Sequence, residues 1–106
     1  MRGTIQDIYN KLNEEIWTLT ERRFSVEYLG KSETYWAYIK SANAKPPVGV
    51  LVHLWGKLEK EKRVYEYRLQ LTNDATHRHF MNTWIEFYAA LSDRAFNALK
   101  LKSEAL

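Results

Sequence analysis

The chain has 106 residues, of which 45% are hydrophobic, 27% charged and 14% aromatic, with no cysteine and a net charge of +3. This length and composition predict one globular domain over residues 1–106 and exclude a disordered chain. The lack of cysteine excludes disulfides, thiolate metal sites and a cysteine nucleophile, which favours a cytoplasmic location, and no apolar run is long enough to span a membrane.

A helix is predicted over residues 4–21 from apolar side chains at spacings of three and four. Thr4 and Asp7 resemble a capping box at its start, with Asp in place of the usual Glu. The apolar stripe consists of Ile5, Ile8, Tyr9, Leu12, Ile16 and Leu19.

The hydrophobic period then changes to two, which predicts strands. "RFSVEYLG" (23–30), "ETYWAYIK" (33–40) and "RVYEYRLQLT" (63–72) are the alternating segments, and "VGVLVHLW" (48–55) is nearly all apolar. An all-apolar run is typical of a central strand that is covered on both faces. A short turn at 30–32, a loop with Pro46 and Pro47, and the charged segment 56–62 separate the four predicted strands.

From Asp74 onward the period returns to 3.6, which predicts a second long helix with a broad apolar face. Asp74 or Thr76 is suited to cap its start. The predicted fold class is therefore α+β, with a four-stranded antiparallel meander, an N-terminal and a C-terminal helix packed on it, and the order α-β-β-β-β-α.

One face of such a sheet would carry aromatic side chains away from the helices. The candidate partner-binding residues on this face are Trp36, Tyr38, Lys40, Leu51, His53, Trp55 and Arg68. Monomeric proteins seldom leave a patch of this kind in water. Its cover is predicted to be the chain's own last helix, a partner protein, or a ligand or nucleic acid.

Motifs that carry catalysis are not found in the sequence, and no catalytic residue, metal or cofactor is expected. His77 and His79 are two apart on a predicted helix, so their rings point about 200° from each other and cannot share one metal ion. His53 sits within an apolar strand segment, where a structural role is the commoner one.

These observations favour a small non-catalytic binding module, an accessory, inhibitor or regulatory protein that acts through apolar surfaces as a homodimer or with another protein. The first alternative is a nucleic-acid-binding module with sheet aromatics for base stacking and Lys or Arg for phosphate. The second is a small-molecule-binding or hydrolytic domain centred on His53, with Glu66 as its partner. Membrane binding is not expected.

Overall fold

The computed structural model describes residues 3–104, and within them it contains five helices and no strand. The helices are α1 (Thr4–Glu15), α2 (Glu21–Arg23, continued by a π-helical turn at Phe24–Tyr28), α3 (Tyr35–Ala42), α4 (Val48–Gln70) and α5 (Ala75–Glu104). Below, α2 denotes the whole helix through the π-helical turn. The prediction of an α+β fold with a four-stranded antiparallel sheet is therefore wrong.

Each predicted strand lies in a helix. The segments 23–30 and 33–40 lie mainly in α2 and α3, whereas 48–55 and 63–72 are two parts of α4, together with the charged segment between them. The first helix ends at Glu15, so the predicted stripe continues into a connection. The last helix begins at Ala75, and the Oδ2 atom of Asp74 accepts a hydrogen bond from the His77 amide (2.9 Å), as expected of a helix cap.

Helices α4 and α5 are the two longest helices of the molecule, and they form a hairpin. Along α4, Leu51, Leu54 and Leu58 are buried at helical spacing. The charged segment extends the helix because Lys and Glu are good helix formers, and ion pairs such as Lys57–Glu61 (2.8 Å) add to it. Residues 71–74 then reverse the chain, so that α5 packs antiparallel along α4.

Helices α1, α2 and α3 pack on one end of this hairpin. Helix α1 runs antiparallel to α5, and the Asp7 carboxylate pairs with the Arg94 guanidinium at 2.9 Å. The side chains buried between the hairpin and these helices form one hydrophobic cluster, which consists of Ile5, Ile8, Leu12, Leu19, Phe24, Tyr28, Leu29, Trp36, Ile39, Val50, Leu51, Leu54, Leu58, Tyr88, Leu91 and Ala95.

A buried hydroxyl joins the two hairpin helices. The Ser92 hydroxyl donates to the Glu59 carboxylate at 2.6 Å, and this bond, together with the Lys62 ammonium, lowers the pKa of Glu59. A carboxyl whose pKa is lowered by folding stabilises the folded state above its unfolded pKa, and this contribution disappears as the pH falls through the folded pKa.

We expect Ser92→Ala to raise the pKa of Glu59 and to lower the free energy of unfolding by about 1.5 kcal/mol at pH 7, since the bond is to a charged group. The difference from the parent protein should shrink once the carboxyl is protonated. Urea denaturation at pH 7 and at pH 3 measures it, and a difference of the same size at both pH values would contradict this role for the carboxylate.

Candidate nucleic-acid interface

Helices α2 and α3 are joined by a short turn. The last π-type bond of α2 runs from the Leu29 amide to the Phe24 carbonyl (3.1 Å), and the Tyr35 amide donates to the Ser32 carbonyl (3.1 Å) in the first turn before α3. Six residues, 29–34, separate the end of α2 from the start of α3. The two helices are held as one unit at the surface of the hairpin.

Gly30 occupies the centre of this turn. Its φ of +66° lies in the left-handed region that side chains disfavour. A Cβ atom at this position would lie 2.6 Å from the His53 imidazole. The same ring donates from Nδ1–H to the Tyr28 carbonyl (3.0 Å), which fixes the tautomer and ties α4 to the end of α2. The turn thus needs a residue without a side chain.

The crossing of α2 and α3 is fixed by a small buried residue. The Ser25 hydroxyl accepts a hydrogen bond from the Trp36 amide at 2.9 Å, and Ser25 is fully buried. Beside it, the rings of Phe24 and Trp36 meet edge to face with 5.8 Å between centroids. The side chains of Trp36 and Ile39 anchor α3 in the core, so the opposite side of α3 faces solvent.

We call this solvent side the α3 outer face, and it consists of Thr34, Ala37, Tyr38 and Ser41. These positions follow helical spacing, and all four residues are exposed, with 62% of Tyr38 accessible. Two hydroxyl groups, a phenol and a methyl group are therefore presented together on a rigid helix. Glu33, also exposed, lies just before them.

Cationic side chains lie on both sides of α3 along the chain. Residues 20–45 contain five Lys or Arg and three Glu. Lys40 pairs with Glu21, and Arg23 pairs with Glu27 at 2.8 Å. The remaining three cations are exposed and form no ion pair among residues 3–102, the range in which the structure describes side chains; they are Arg22 at the start of α2, Lys31 in the turn and Lys45 after α3.

The predicted partner-binding residues are not brought together on one face. Trp36 and Leu51 are buried in the core, and Trp55 is half-buried against Phe96, with 6.0 Å between the ring centroids. Tyr38 and Lys40 are exposed on α3. His53 lies beside Gly30, and Arg68 lies over the Tyr65 ring on the C-terminal half of α4. Only Tyr38 and Lys40 belong to or border the α3 outer face.

Other kinds of site find little support in the described part of the chain. Among residues 3–104, no three His, Asp or Glu side chains converge in a way that would hold a metal ion. His53 and Glu66 lie more than three turns apart on α4, so they do not form the acid–base pair considered from the sequence. None of the described helices is long and apolar enough to cross a membrane.

Two helices that are joined by a six-residue connection containing Gly30, the second with a buried and an exposed side, follow the order of elements in a helix-turn-helix motif. This pair of helices was missed from the sequence because both segments were predicted to be strands. The signal in the sequence was the set of buried positions Phe24, Ser25, Tyr28 and Leu29, then Gly30, then Trp36 and Ile39. The spacing within each set is helical, and the glycine falls between the two sets.

A protein-family model matches most of the chain. Residues 5–105 match a family described as a family of unknown function (DUF6626), and the chain belongs to this family. Comparisons with curated proteins and with solved structures give no match.

Proposed function

We propose that this member of the DUF6626 family binds duplex DNA through its helix-turn-helix, with α3 in the major groove. The observation that carries the proposal is the α3 outer face, a fully exposed helical face with hydrogen-bonding groups on a helix that Trp36, Ser25 and Gly30 hold in place. This replaces the stacking of bases on sheet aromatics that the sequence suggested. A role on DNA also agrees with a cytoplasmic location, which we retain as part of the proposal.

The α3 outer face suits contact with base edges. The Thr34 hydroxyl can donate to or accept from a base, and the Ser41 hydroxyl, which donates to the Tyr38 carbonyl (3.1 Å), can accept from one. The methyl groups of Thr34 and Ala37 match the thymine methyl. Tyr38 adds a longer side chain with a phenolic donor. Glu33 has the chemistry to accept a hydrogen bond from the cytosine amino group, so its negative charge does not oppose the proposal.

The three cations that form no ion pair suit contact with the DNA backbone. In helix-turn-helix complexes the first helix crosses the phosphates while the second enters the groove. Arg22 lies at the start of α2, and Lys31 and Lys45 lie on the two sides of α3 along the chain. Contacts of this kind set affinity and orientation, whereas the α3 outer face sets sequence preference.

The first experiment measures binding to a 30-base-pair duplex pool of random sequence by fluorescence anisotropy across a salt series. We expect the logarithm of affinity to fall linearly with the logarithm of salt concentration, because bound phosphates release counterions. Arg22→Gln and Lys45→Gln should each lower the slope by about 0.9. Selection from the pool should then enrich a defined sequence.

Matched charge changes elsewhere serve as controls. Arg63→Gln and Lys60→Gln remove the same charges from the exposed side of α4, away from α3, and should leave the slope nearly unchanged. An affinity that does not change with salt concentration would contradict the proposed interface. An equal reduction of the slope by the two pairs of variants would contradict it too. A preference for single strands over duplex would contradict it as well, since a recognition helix needs the major groove.

We further propose that the chain forms a homodimer through one half of the α4–α5 hairpin, the half that includes the connection at residues 71–74. Tyr65, Phe80, Trp84 and Phe87 form an aromatic stripe, with Tyr65 and Trp84 stacked at 5.7 Å between centroids. Helix α1 covers the neighbouring part of α5 but ends at Glu15, and beyond its end 52% of Phe80 is exposed. A second copy that places its own stripe here would complete a four-helix arrangement.

Trp17 supports this second proposal. It is 85% exposed in the connection after α1, and it borders the same groove of about 410 Å³ as Tyr65 and Trp84. A two-fold axis at this groove would bring two aromatic surfaces together and would pair two recognition helices for two half-sites on DNA. This retains the homodimer expected from the sequence but moves it from a sheet face to the hairpin.

Light scattering with size-exclusion chromatography tests the dimer. We expect a dimer at about 50 µM protein, a monomer for Phe80→Ser, and a dimer for Phe96→Ser. Phe96 is the matched control because it is 47% exposed on the same helix but contacts Trp55 on the other side of the hairpin. A monomeric parent protein, or a dimeric Phe80→Ser variant, would contradict self-association through this stripe.

A further inference from the structure

A second concave site lies at the end of the molecule opposite the aromatic stripe. It is a groove of about 1020 Å³ between the first turn of α1, the C-terminal half of α3, the loop after α3 and the last turns of α5. This volume is in the range of pockets that hold small organic ligands. The groove belongs to neither the α3 outer face nor the hairpin stripe.

The walls of the groove are largely apolar. Ile5, Trp36, Ile39 and Leu51 contribute buried side chains from three helices, and Leu101 stands exposed at its edge. These side chains belong to the rigid core cluster, so the floor of the groove is formed in advance. A ligand with an apolar body would exchange water contact for contact with these residues.

The polar groups around the groove favour negative charge. Lys40, Lys45 and Lys102 line it, and among the described side chains that line it none is an Asp or a Glu. Lys40 is already paired with Glu21, which leaves Lys45 and Lys102 as the cations available to a ligand. Helix α1 also begins here at Thr4, and its N-cap residue Gly3 supplies no side-chain cap, so the first-turn amides have no side-chain capping acceptor among the described residues.

A buried donor gives a second and independent indication of a ligand. Trp36 lines the groove and is only 4% exposed, and its indole Nε1–H has no hydrogen-bond acceptor among the residues that the structure describes. A buried donor without a partner is unfavourable by about 1–3 kcal/mol. An acceptor that reached this N–H from the groove would remove this penalty.

We infer that the groove binds a small amphipathic anion, a carboxylate with an unbranched or compact apolar body of about eight carbons. The apolar body packs on Ile5, Ile39 and Leu51. The carboxylate lies between Lys45, Lys102 and the start of α1, where it also accepts from the Trp36 indole. This site shares Lys45 with the proposed DNA interface but contains no residue of the α3 outer face, and its test does not involve DNA.

Isothermal titration of the full chain with octanoate tests the inference. We expect one site per chain with a Kd of about 0.1–1 mM, in line with the affinity usual for a ligand of ten heavy atoms. In a ¹⁵N spectrum, the indole N–H resonance of Trp36 should shift with the same Kd. Octylamine, which has the same apolar body and the opposite charge, should not bind.

The double variant Lys45→Gln/Lys102→Gln should weaken octanoate binding at least fivefold. Its matched control, Lys11→Gln/Lys60→Gln, removes the same charge from positions outside the groove and should bind octanoate like the parent protein. The inference is overturned by an absence of saturable heat, by equal binding of octylamine, by an unshifted Trp36 indole, or by equal affinity in the two double variants.

Discussion

Gly30→Ala should lower the free energy of unfolding by about 2–3 kcal/mol, among the largest effects of any single added methyl group in this chain. Residue 30 has φ of +66°, and a side chain in the left-handed region is unfavourable by about 1 kcal/mol. The new Cβ would also lie 2.6 Å from the His53 ring. Moving that ring breaks the bond from Nδ1–H to the Tyr28 carbonyl, a loss of about 1 kcal/mol.

Gly56→Ala is the matched control. Gly56 lies within α4, and a Cβ atom there would have nothing within 4 Å. Since alanine favours helix over glycine by about 1 kcal/mol, this variant should be more stable than the parent protein. Urea denaturation of both variants gives the comparison, and a loss of stability for Gly56→Ala as large as that for Gly30→Ala would contradict the account of the turn.

A double-mutant cycle separates the clash from the backbone strain. In a His53→Ala background the clash is removed, so Gly30→Ala should be less destabilising there, by about 1 kcal/mol. An unchanged effect of Gly30→Ala in that background would show that the ring does not restrict the turn.

Ala37→Glu should reduce affinity for duplex DNA by about 100-fold or more without unfolding the protein. Ala37 is exposed in the middle of the α3 outer face, and glutamate is a good helix former, so the free energy of unfolding should change by less than about 0.5 kcal/mol. In the proposed complex the new carboxylate would face base edges between two rows of phosphates. Charges of the same sign in an interface are unfavourable by several kcal/mol.

Ala90→Glu is its control and is closely matched. Ala90 is exposed in the middle of α5 and, like Ala37, follows a glutamate by four residues. The two variants therefore have the same net charge and the same local repulsion. Anisotropy with the random duplex pool should show parent-like binding for Ala90→Glu, and equal losses for both variants would mean that charge in general, and not α3, determines DNA binding.

The ends of the chain were more predictable than its middle. The first and last helices have apolar residues at spacings of three and four that no other period matches. In the middle, Val and Tyr favour strands only weakly, and packing overrode that preference. "ETYWAYIK" alternates in chemistry, but its buried residues are Trp36 and Ile39, three apart. Helical spacing decided the structure there, and the alternation was incidental.

Helix α4 shows why short sequence segments gave an incorrect prediction of secondary structure. An apolar run of eight residues fits a buried strand and a buried helix equally well. The helix becomes apparent when the run is read together with the charged segment, because Leu51, Leu54, Leu58, Tyr65 and Leu69 follow one face of a single helix. The segment that begins at Gly56 was predicted to connect two strands, although an open position inside a helix tolerates glycine at a modest loss of stability.

The candidate site was less predictable than the fold. An interface of exposed Ala, Ser, Thr and Tyr has no distinctive composition. Trp36 was predicted to bind a partner because the alternation of a strand placed it on the outward face. In the structure Trp36 is the anchor of α3 and Tyr38 is the exposed neighbour. Whether Trp36 and Tyr38 share a face depends on the period of the backbone, and the incorrect strand period placed both of them on the outward face.

A ¹⁵N chemical-shift titration with a duplex enriched from the random pool tests the central claim most directly. We predict saturable shifts of backbone amides concentrated in residues 20–45 and largest from Ser32 to Ser41, with α5 nearly unaffected. Saturable shifts that lie instead along α5, or no saturable shifts at any salt concentration, would contradict DNA recognition by the helix-turn-helix.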